Sequence, residues 1–264
     1  MTHESRLRTH VGHAGHGDNR FRGRSVADAL TGRTPYWSLI SQAVGNRDLS
    51  PQECSELDAL SAAACAADPR IWPLKSVRLG AAHGSATAGL VAGLLATDGV
   101  HGPRVSGLCA AVLVAVATAI VGHDDDAALE AALERHFAVR VRPIPGFGVA
   151  ARAQDERVAA FAAWRARAGH DGGRHWALMR RIEAIAIRRR RTPVNISGAA
   201  AAVLLDLDFT PAQIHLPAMF VIVQNLVANA VEGAAQAPAI LRQLPPDAIE
   251  YVGVPPRRSP RAGG

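Results

Sequence analysis

Two windows, Leu79 to Thr97 and Val105 to Gly122, carry no Asp, Glu, Lys or Arg, and each approaches the ~20 apolar residues that a helix needs to cross a bilayer. Their composition argues for a protein interior instead. Gly80, Gly84, Gly89 and Gly93, with His83, Ser85 and Thr87, interrupt the first window, and alanine dominates the second. Such residues yield little transfer free energy compared with Leu or Phe. The two windows therefore read as buried helices of an α-helical domain, and no membrane partner is expected. Aromatic residues make up only 5% of the chain and β-branched runs are scarce, so helix propensity exceeds strand propensity over most windows. An all-β fold is excluded. With 264 residues, 48% of them hydrophobic and 20% charged, the chain can bury one large core, which excludes disorder throughout.

Lys75 is the only lysine among 29 basic residues, which stand against 23 acidic ones. Arginine alone thus sets the alkaline character. The one dense cluster, Arg188 to Arg191, reads as the charged C-terminal end of a helix, where cations favour the dipole. A nucleic-acid partner, which needs several phosphates met at once, is not expected. Cys54, Cys65 and Cys109 lack CxxC spacing and read as buried free thiols in a reducing compartment. Residues 1–24 carry His3, His10, His13 and His16 among Gly, Arg and Asp. They read as a disordered leader with no resident metal and no apolar secretion signal, which places the protein in the cytoplasm.

The helical domain spans residues 25–257, and 258–264 form a flexible Arg/Gly tail. Ser25 with Asp28 is a candidate N-cap for a short helix within Ser25 to Val44. Ser50-Pro51-Gln52-Glu53 is a stronger start, with Ser at the cap, Pro at the first helical position and acids in the first turn; that helix stops near Asp68-Pro69. Asp125 to Phe137, Asp155 to Ala168, His175 to Arg188, Ser197 to Leu207 and Pro211 to Gly233 follow as further helices. Asp124, Asp125 and Asp126 read as a helix start, Trp164 and Trp176 as packing, and His83 as a packed helix histidine. Two Gly-flanked loops, Asp98-Gly99-Val100-His101-Gly102 and Ile144-Pro145-Gly146-Phe147-Gly148, sit between apolar helices. A His in such a loop can donate to a carbonyl oxygen, and Gly146 and Gly148 allow backbone amides to approach an anionic or planar ligand.

Taken in order, these pieces resemble the citrate synthase family, which includes citryl-CoA lyases and the citrate-cleaving part of ATP-citrate lyase. Leu94 to Gly102 is similar to the family's "LxxxGxxHGG" stretch, and Arg142-Pro143-Ile144-Pro145-Gly146-Phe147-Gly148 to its "PGFGH" loop up to the last residue. Asp155-Glu156-Arg157 falls at "DPR", Pro193-Val194-Asn195 at "NVD", and Glu250-Tyr251-Val252-Gly253 at the closing "YVG". The resemblance implies an all-α, usually dimeric enzyme that joins or splits a coenzyme A thioester and a small keto or hydroxy acid, without a metal. His101 takes the place of the His that donates to the thioester oxygen, and Asn195 that of the catalytic Asp. Gly146, Phe147, Gly148, Arg152 and Arg157 fall on the coenzyme A side, where a salt-bridge role for Arg152 and Arg157 is the alternative.

The pattern also departs from the family. An amide at Asn195 cannot serve as a general base, Val149 stands at the second His, and Ala150 at the Arg that often follows it. Aligning Glu232 on the family's Glu puts Asn229 at its His and Ile222 at its substrate Arg, with Gln224 the candidate if the register slips. Two functions follow: a divergent enzyme that forms or cleaves a carbon–carbon bond on an acyl-CoA, or a catalytically inactive binding or regulatory subunit. The partners implied are an acyl-CoA, a small carboxylic acid, and a second copy or a paralogue across a dimer interface.

Overall fold

In the computed structural model, three glycines of the first uncharged window bring two helices into backbone contact. The structure describes residues 8–66, 68–99, 102–123, 125–139, 144–149, 153–170, 172–190, 192–236, 245–248, 250 and 252–253. Helix α3 (Leu74–Ala81) turns back on α4 (Ala86–Thr97) through Gly84, whose φ of +82° places it in the left-handed region. A Cβ on Gly80 would lie 2.9 Å from the Ala88 carbonyl oxygen, one on Gly89 2.7 Å from the Val77 carbonyl oxygen, and one on Gly93 would collide with the Val77 side chain. The window is thus a hairpin of two short helices rather than one long one. His83 lies exposed in its turn, not packed in a helix.

The second window forms α5 (Arg104–Ala119), which packs with α9 (Ile196–Asp206) and the long α10 (Pro211–Ala235). By length and composition α10 is apolar enough to cross a membrane. Here Ile214, Ala218, Val221, Asn225, Leu226 and Ala230 are buried along one side of it, a helical repeat that meets α3, α4, α5 and α9. Helix α9 is buried almost end to end, with Ala199, Ala201, Ala202, Val203 and Leu204 inaccessible to solvent. It forms the centre of the larger core, flanked by α8 (Arg174–Arg190) and α7 (Glu156–Ala168). On the outer side of α8, Arg188 and Arg189 pair with Glu130 and Glu134 of α6 (Asp126–Val139), as befits a charged helix end.

Helix α2 (Pro51–Ala63) begins at the cap read from the sequence, and the structure completes it as a capping box: Ser50 Oγ accepts from Glu53 N at 3.2 Å, and Glu53 accepts from Ser50 N at 2.7 Å. It ends at Ala63, short of Asp68-Pro69. Arg47 clamps the same carboxylate at 2.5 Å, and its hydrogen bond is the main reason the Glu53 carboxyl is lowered to about 2. A depressed carboxylate stabilises the fold fully above its unfolded value of about 4.3, and that stability is lost as the pH falls toward the folded value. Thermal melts between pH 6 and pH 2.5 are expected to show a steeper acid loss in wild type than in Glu53→Gln.

From residue 8 on, the leader differs from the disordered reading, while residues 1–7 lie outside the described residues. Strands β1 (Gly12–His13), β2 (Arg20–Phe21) and β3 (Arg24–Ser25) form an antiparallel ribbon. Two arginines anchor it to the helical body, Arg22 Nη2 on the Ala43 carbonyl at 2.6 Å and Arg24 on Asp48 at 2.8 Å. After it come one π-type turn, Val26–Leu30, capped by Ser25, and α1 (Tyr36–Ala43). Cys54 and Cys109 are buried as expected, and burial pushes the Cys109 thiol up to about 12; Cys65 is exposed instead, beyond the end of α2.

Candidate active site

The N-terminus of α9 organises the site. The segment 193–198 and the loop 144–149 are far apart in sequence yet joined along their backbones: Asn195 N donates to the Gly146 carbonyl at 2.9 Å, Gly148 N donates to the Pro193 carbonyl at 2.6 Å, and Phe147 bridges Val194. The Asn195 side chain completes the seam. Its Oδ1 accepts from Ser197 N and Gly198 N at 3.0 and 3.3 Å, and its Nδ2 donates to the Gly148 carbonyl at 3.1 Å. Asn195 is therefore the N-cap of α9, with its amide oriented by these partners.

Asp155 reinforces the same corner. It caps α7, accepts from Ile196 N at 3.0 Å, and holds Arg157 in a two-pronged pair at 2.8 and 2.7 Å. Burial alone would raise this carboxyl; the Arg157 hydrogen bonds and charge, with the backbone donors of Arg157 and Ile196, outweigh it and hold it below the usual range. Arg157 is thus in the salt-bridge role that the sequence allowed, while still lining the cavity described next.

A cavity of about 290 Å³ opens against this corner. Gly148, Val149, Arg157, Asn195 and Ser197 line one side, and Gly102, Pro103 and Ser106 lead into α5. The segment Ile71 to Leu74 and the α10 residues Ala218, Val221, Ile222 and Asn225 close the rest. The cavity gathers residues from four of the sequence motifs. Gly102 adjoins His101, whose own position lies outside the described residues, as do Arg152, Ala150 and Tyr251. A side chain at Gly102 would collide with the Thr97 carbonyl, so that end of the His101 loop closes against the last residue of α4.

Gly146 and Phe147 serve the fold rather than the cavity wall. Gly146 has φ +83°, and a Cβ there would sit 2.8 Å from both Cys109 Sγ and Gly198 Cα, so the backbone conformation and the close approach of protein each require glycine. Phe147 is buried in the main core. Among the α10 candidates only Ile222 reaches the cavity. Gln224 donates to the Ser61 carbonyl at 2.8 Å, and Asn229 accepts from Arg78 Nε at 2.8 Å in a cluster where Arg78 also pairs with Glu232 at 3.0 Å. Trp72 and Ser106 were not singled out by sequence reading, because neither lies in a recognisable motif. Among the described residues no group of three or more His, Cys, Asp or Glu is placed to hold a metal ion.

Asn195→Ala is expected to cost about 1–2 kcal/mol through loss of the cap, read by chemical denaturation. Asn195→Asp keeps an acceptor for Ser197 N but turns an oxygen toward the Gly148 carbonyl, so it should fall between wild type and Ala.

The comparisons with known proteins bear on the fold. No family model matches the chain, and no curated protein matches it by sequence. Solved structures do. The chain is similar to citryl-CoA lyase from Hydrogenobacter thermophilus with a TM-score of 0.75 at 19% identity, over 96% of this chain and 97% of that one. A Methanosaeta concilii ATP citrate lyase variant in complex with (3S)-citryl-CoA matches at 0.72 and 13% identity, over 96% of this chain and 43% of that one. Citrate synthase from Thermoplasma acidophilum, in a ternary complex with carboxymethyl coenzyme A and oxaloacetate, matches at 0.56 and 15% identity over 85% and 58%. The chain thus spans nearly all of the lyase but less than half of the ATP citrate lyase chain. It has the citrate synthase-like helical fold.

Proposed function

We propose that the cavity binds the reacting end of a coenzyme A thioester and that the chain makes or breaks the carbon–carbon bond beside it, as an enzyme of the citrate synthase and citryl-CoA lyase kind. The observation that carries this reading is convergence: Gly102, Gly148, Arg157 and Asn195, from four separate motifs, line one cavity. Those motifs occur in the order that the family uses, on the fold of proteins solved with coenzyme A compounds.

In the cleavage direction the substrate hydroxyl gives up its proton, its O–H electron pair becomes a carbonyl π bond, and the carbon–carbon pair passes to the carbon next to the thioester. Protonation of that carbon completes the acyl-CoA. The thioester oxygen carries the developing charge, so hydrogen-bond donors aimed at it give the largest single effect; His101 is the proposed donor. Asn195 neither takes nor gives the proton, since an amide does not titrate near neutrality and its groups are committed to the α9 cap and Gly148. That commitment, with Val149 on the cavity wall, favours a second reading, a subunit that binds the thioester without turnover.

Assay of citryl-CoA cleavage and of acyl-CoA condensation with 2-oxo acids, oxaloacetate and 4-methyl-2-oxopentanoate among them, separates the two readings. Turnover that disappears in a folded His101→Ala supports an enzyme; thioester binding without turnover of any pair supports the binding subunit. We also propose a homodimer, formed through the exposed apolar residues Leu216, Val227 and Val231 of α10 with Val91 and Leu95 of α4. Light scattering on the eluting protein tests it, and a monomer at micromolar concentration would reject it.

A further inference from the structure

We infer that the cavity selects an aliphatic chain next to one carbonyl group, so that its substrate is an aliphatic acyl compound rather than a di- or tricarboxylic acid. This rests on the reading just given and names the substrate class for the same site. The evidence is the division of the cavity wall. Asn195, Ser197 and Ser106 place uncharged polar side chains near the α9 and α5 N-termini, whereas Ile71, Trp72, Val221 and Ile222 present aliphatic and aromatic surface, interrupted on α10 by Asn225, whose Nδ2 donates to the Ala64 carbonyl.

Ile71 and Trp72 are 42% and 47% exposed. Large apolar side chains at a cavity wall are what a seated chain would cover. The volume, about 290 Å³, equals roughly ten waters of bulk liquid, enough for a carbonyl and a short branched chain. A carboxylate set against Ile222 and Trp72 would lose its hydration, and it would gain little from the charge of Arg157, which Asp155 already offsets through two hydrogen bonds. Burial of an unpaired charge is opposed far more strongly than burial of a methylene is favoured. The chain arrives either on the thioester or on the free 2-oxo acid, and the wall treats both alike.

Calorimetric titration of the full chain tests this with two series. One is CoA, acetyl-CoA, butanoyl-CoA and 3-methylbutanoyl-CoA. The other, with CoA present, is oxaloacetate, 2-oxobutanoate and 4-methyl-2-oxopentanoate. In one series Kd is expected to tighten about fourfold per added methylene, and which series does so identifies the carrier of the chain. Oxaloacetate is expected to bind about tenfold more weakly than 4-methyl-2-oxopentanoate. Ile222→Arg should flatten the slope and strengthen oxaloacetate binding, a gain that a damaged fold would not produce. Flat affinities in both series, oxaloacetate as the tighter acid, or no binding at all overturn the inference. Free CoA tests the reading beneath it. CoA that binds alongside flat series leaves thioester chemistry standing and removes the chain pocket, whereas a chain-length slope without CoA binding does the reverse.

Discussion

Arg165→Leu is expected to destabilise the protein by about 3–5 kcal/mol, the cost of stranding one member of a buried ion pair. Arg165 is only 4% exposed. Its Nη1 lies 2.7 Å from Glu56 Oε1, while Nε and Nη2 donate to the His170 carbonyl at 3.1 and 2.7 Å and Nη2 to the Gly172 carbonyl at 2.7 Å. Its guanidinium also stacks 4.3 Å from the Trp176 ring centre. Burial already raises the Glu56 carboxyl, against the pull of Arg165 and His170, and removing Arg165 raises it further. A carboxyl with a raised folded value opposes folding increasingly as the pH climbs from its unfolded value of about 4.3 through the folded one. The deficit of Arg165→Leu should therefore be largest at neutral pH and shrink as the pH is lowered toward about 4. Denaturation of both proteins across that range measures it, and a deficit independent of pH would show that the lost contacts to the 170–172 backbone, not the stranded carboxylate, dominate.

Gly198→Ala is expected to cost about 3 kcal/mol, although glycine-to-alanine exchange inside a helix ordinarily stabilises by up to about 1 kcal/mol. Contact outweighs propensity here. A Cβ at Gly198 would lie 2.5 Å from the Gly146 carbonyl oxygen and 2.6 Å from Val194 Cγ2. One obstacle is backbone that cannot rotate away, which puts the overpacking penalty at the upper end of its usual range. Relief requires the 144–149 loop to shift, which lengthens the Asn195–Gly148 hydrogen bond and moves one wall of the cavity. The variant should thus lose thioester binding as well as stability, whereas Gly172→Ala, with open space around its Cβ, should keep stability within about 0.5 kcal/mol.

The helices were legible because their signals are local. Ser50-Pro51-Gln52-Glu53 specifies a helix start within four residues, and the helical spacing of apolar residues after Asp155 and Ser197 marks α7 and α9. The α3–α4 hairpin was not, since the uncharged run hides a turn that only the positive φ at Gly84 and the glycine–alanine packing of the two helices define. Arg165 escaped notice for a related reason. It occupies the buried position of α7 after Val158 and Phe161, and its partners Glu56 and the 170–172 carbonyls come from elsewhere in the chain.

At the site, the order of motifs located the loops that converge, but not the work each residue does. Gly146, read as letting a backbone amide approach a ligand, also packs directly against Cys109 and Gly198. Asn195 stands at an expected catalytic position and caps a helix. These distinctions depend on what lies across a contact, which spacing along a chain does not encode.

Titration of acetyl-CoA into wild type and into Ser197→Trp tests thioester binding most directly. Ser197 lies half-buried on the cavity wall, so an indole there fills the space from the rim with little demand on the core. Micromolar binding to wild type, abolished in a Ser197→Trp protein that melts at an unchanged temperature, is the expected result. No heat of binding to wild type, or equal binding to both proteins, would contradict a thioester site in this cavity.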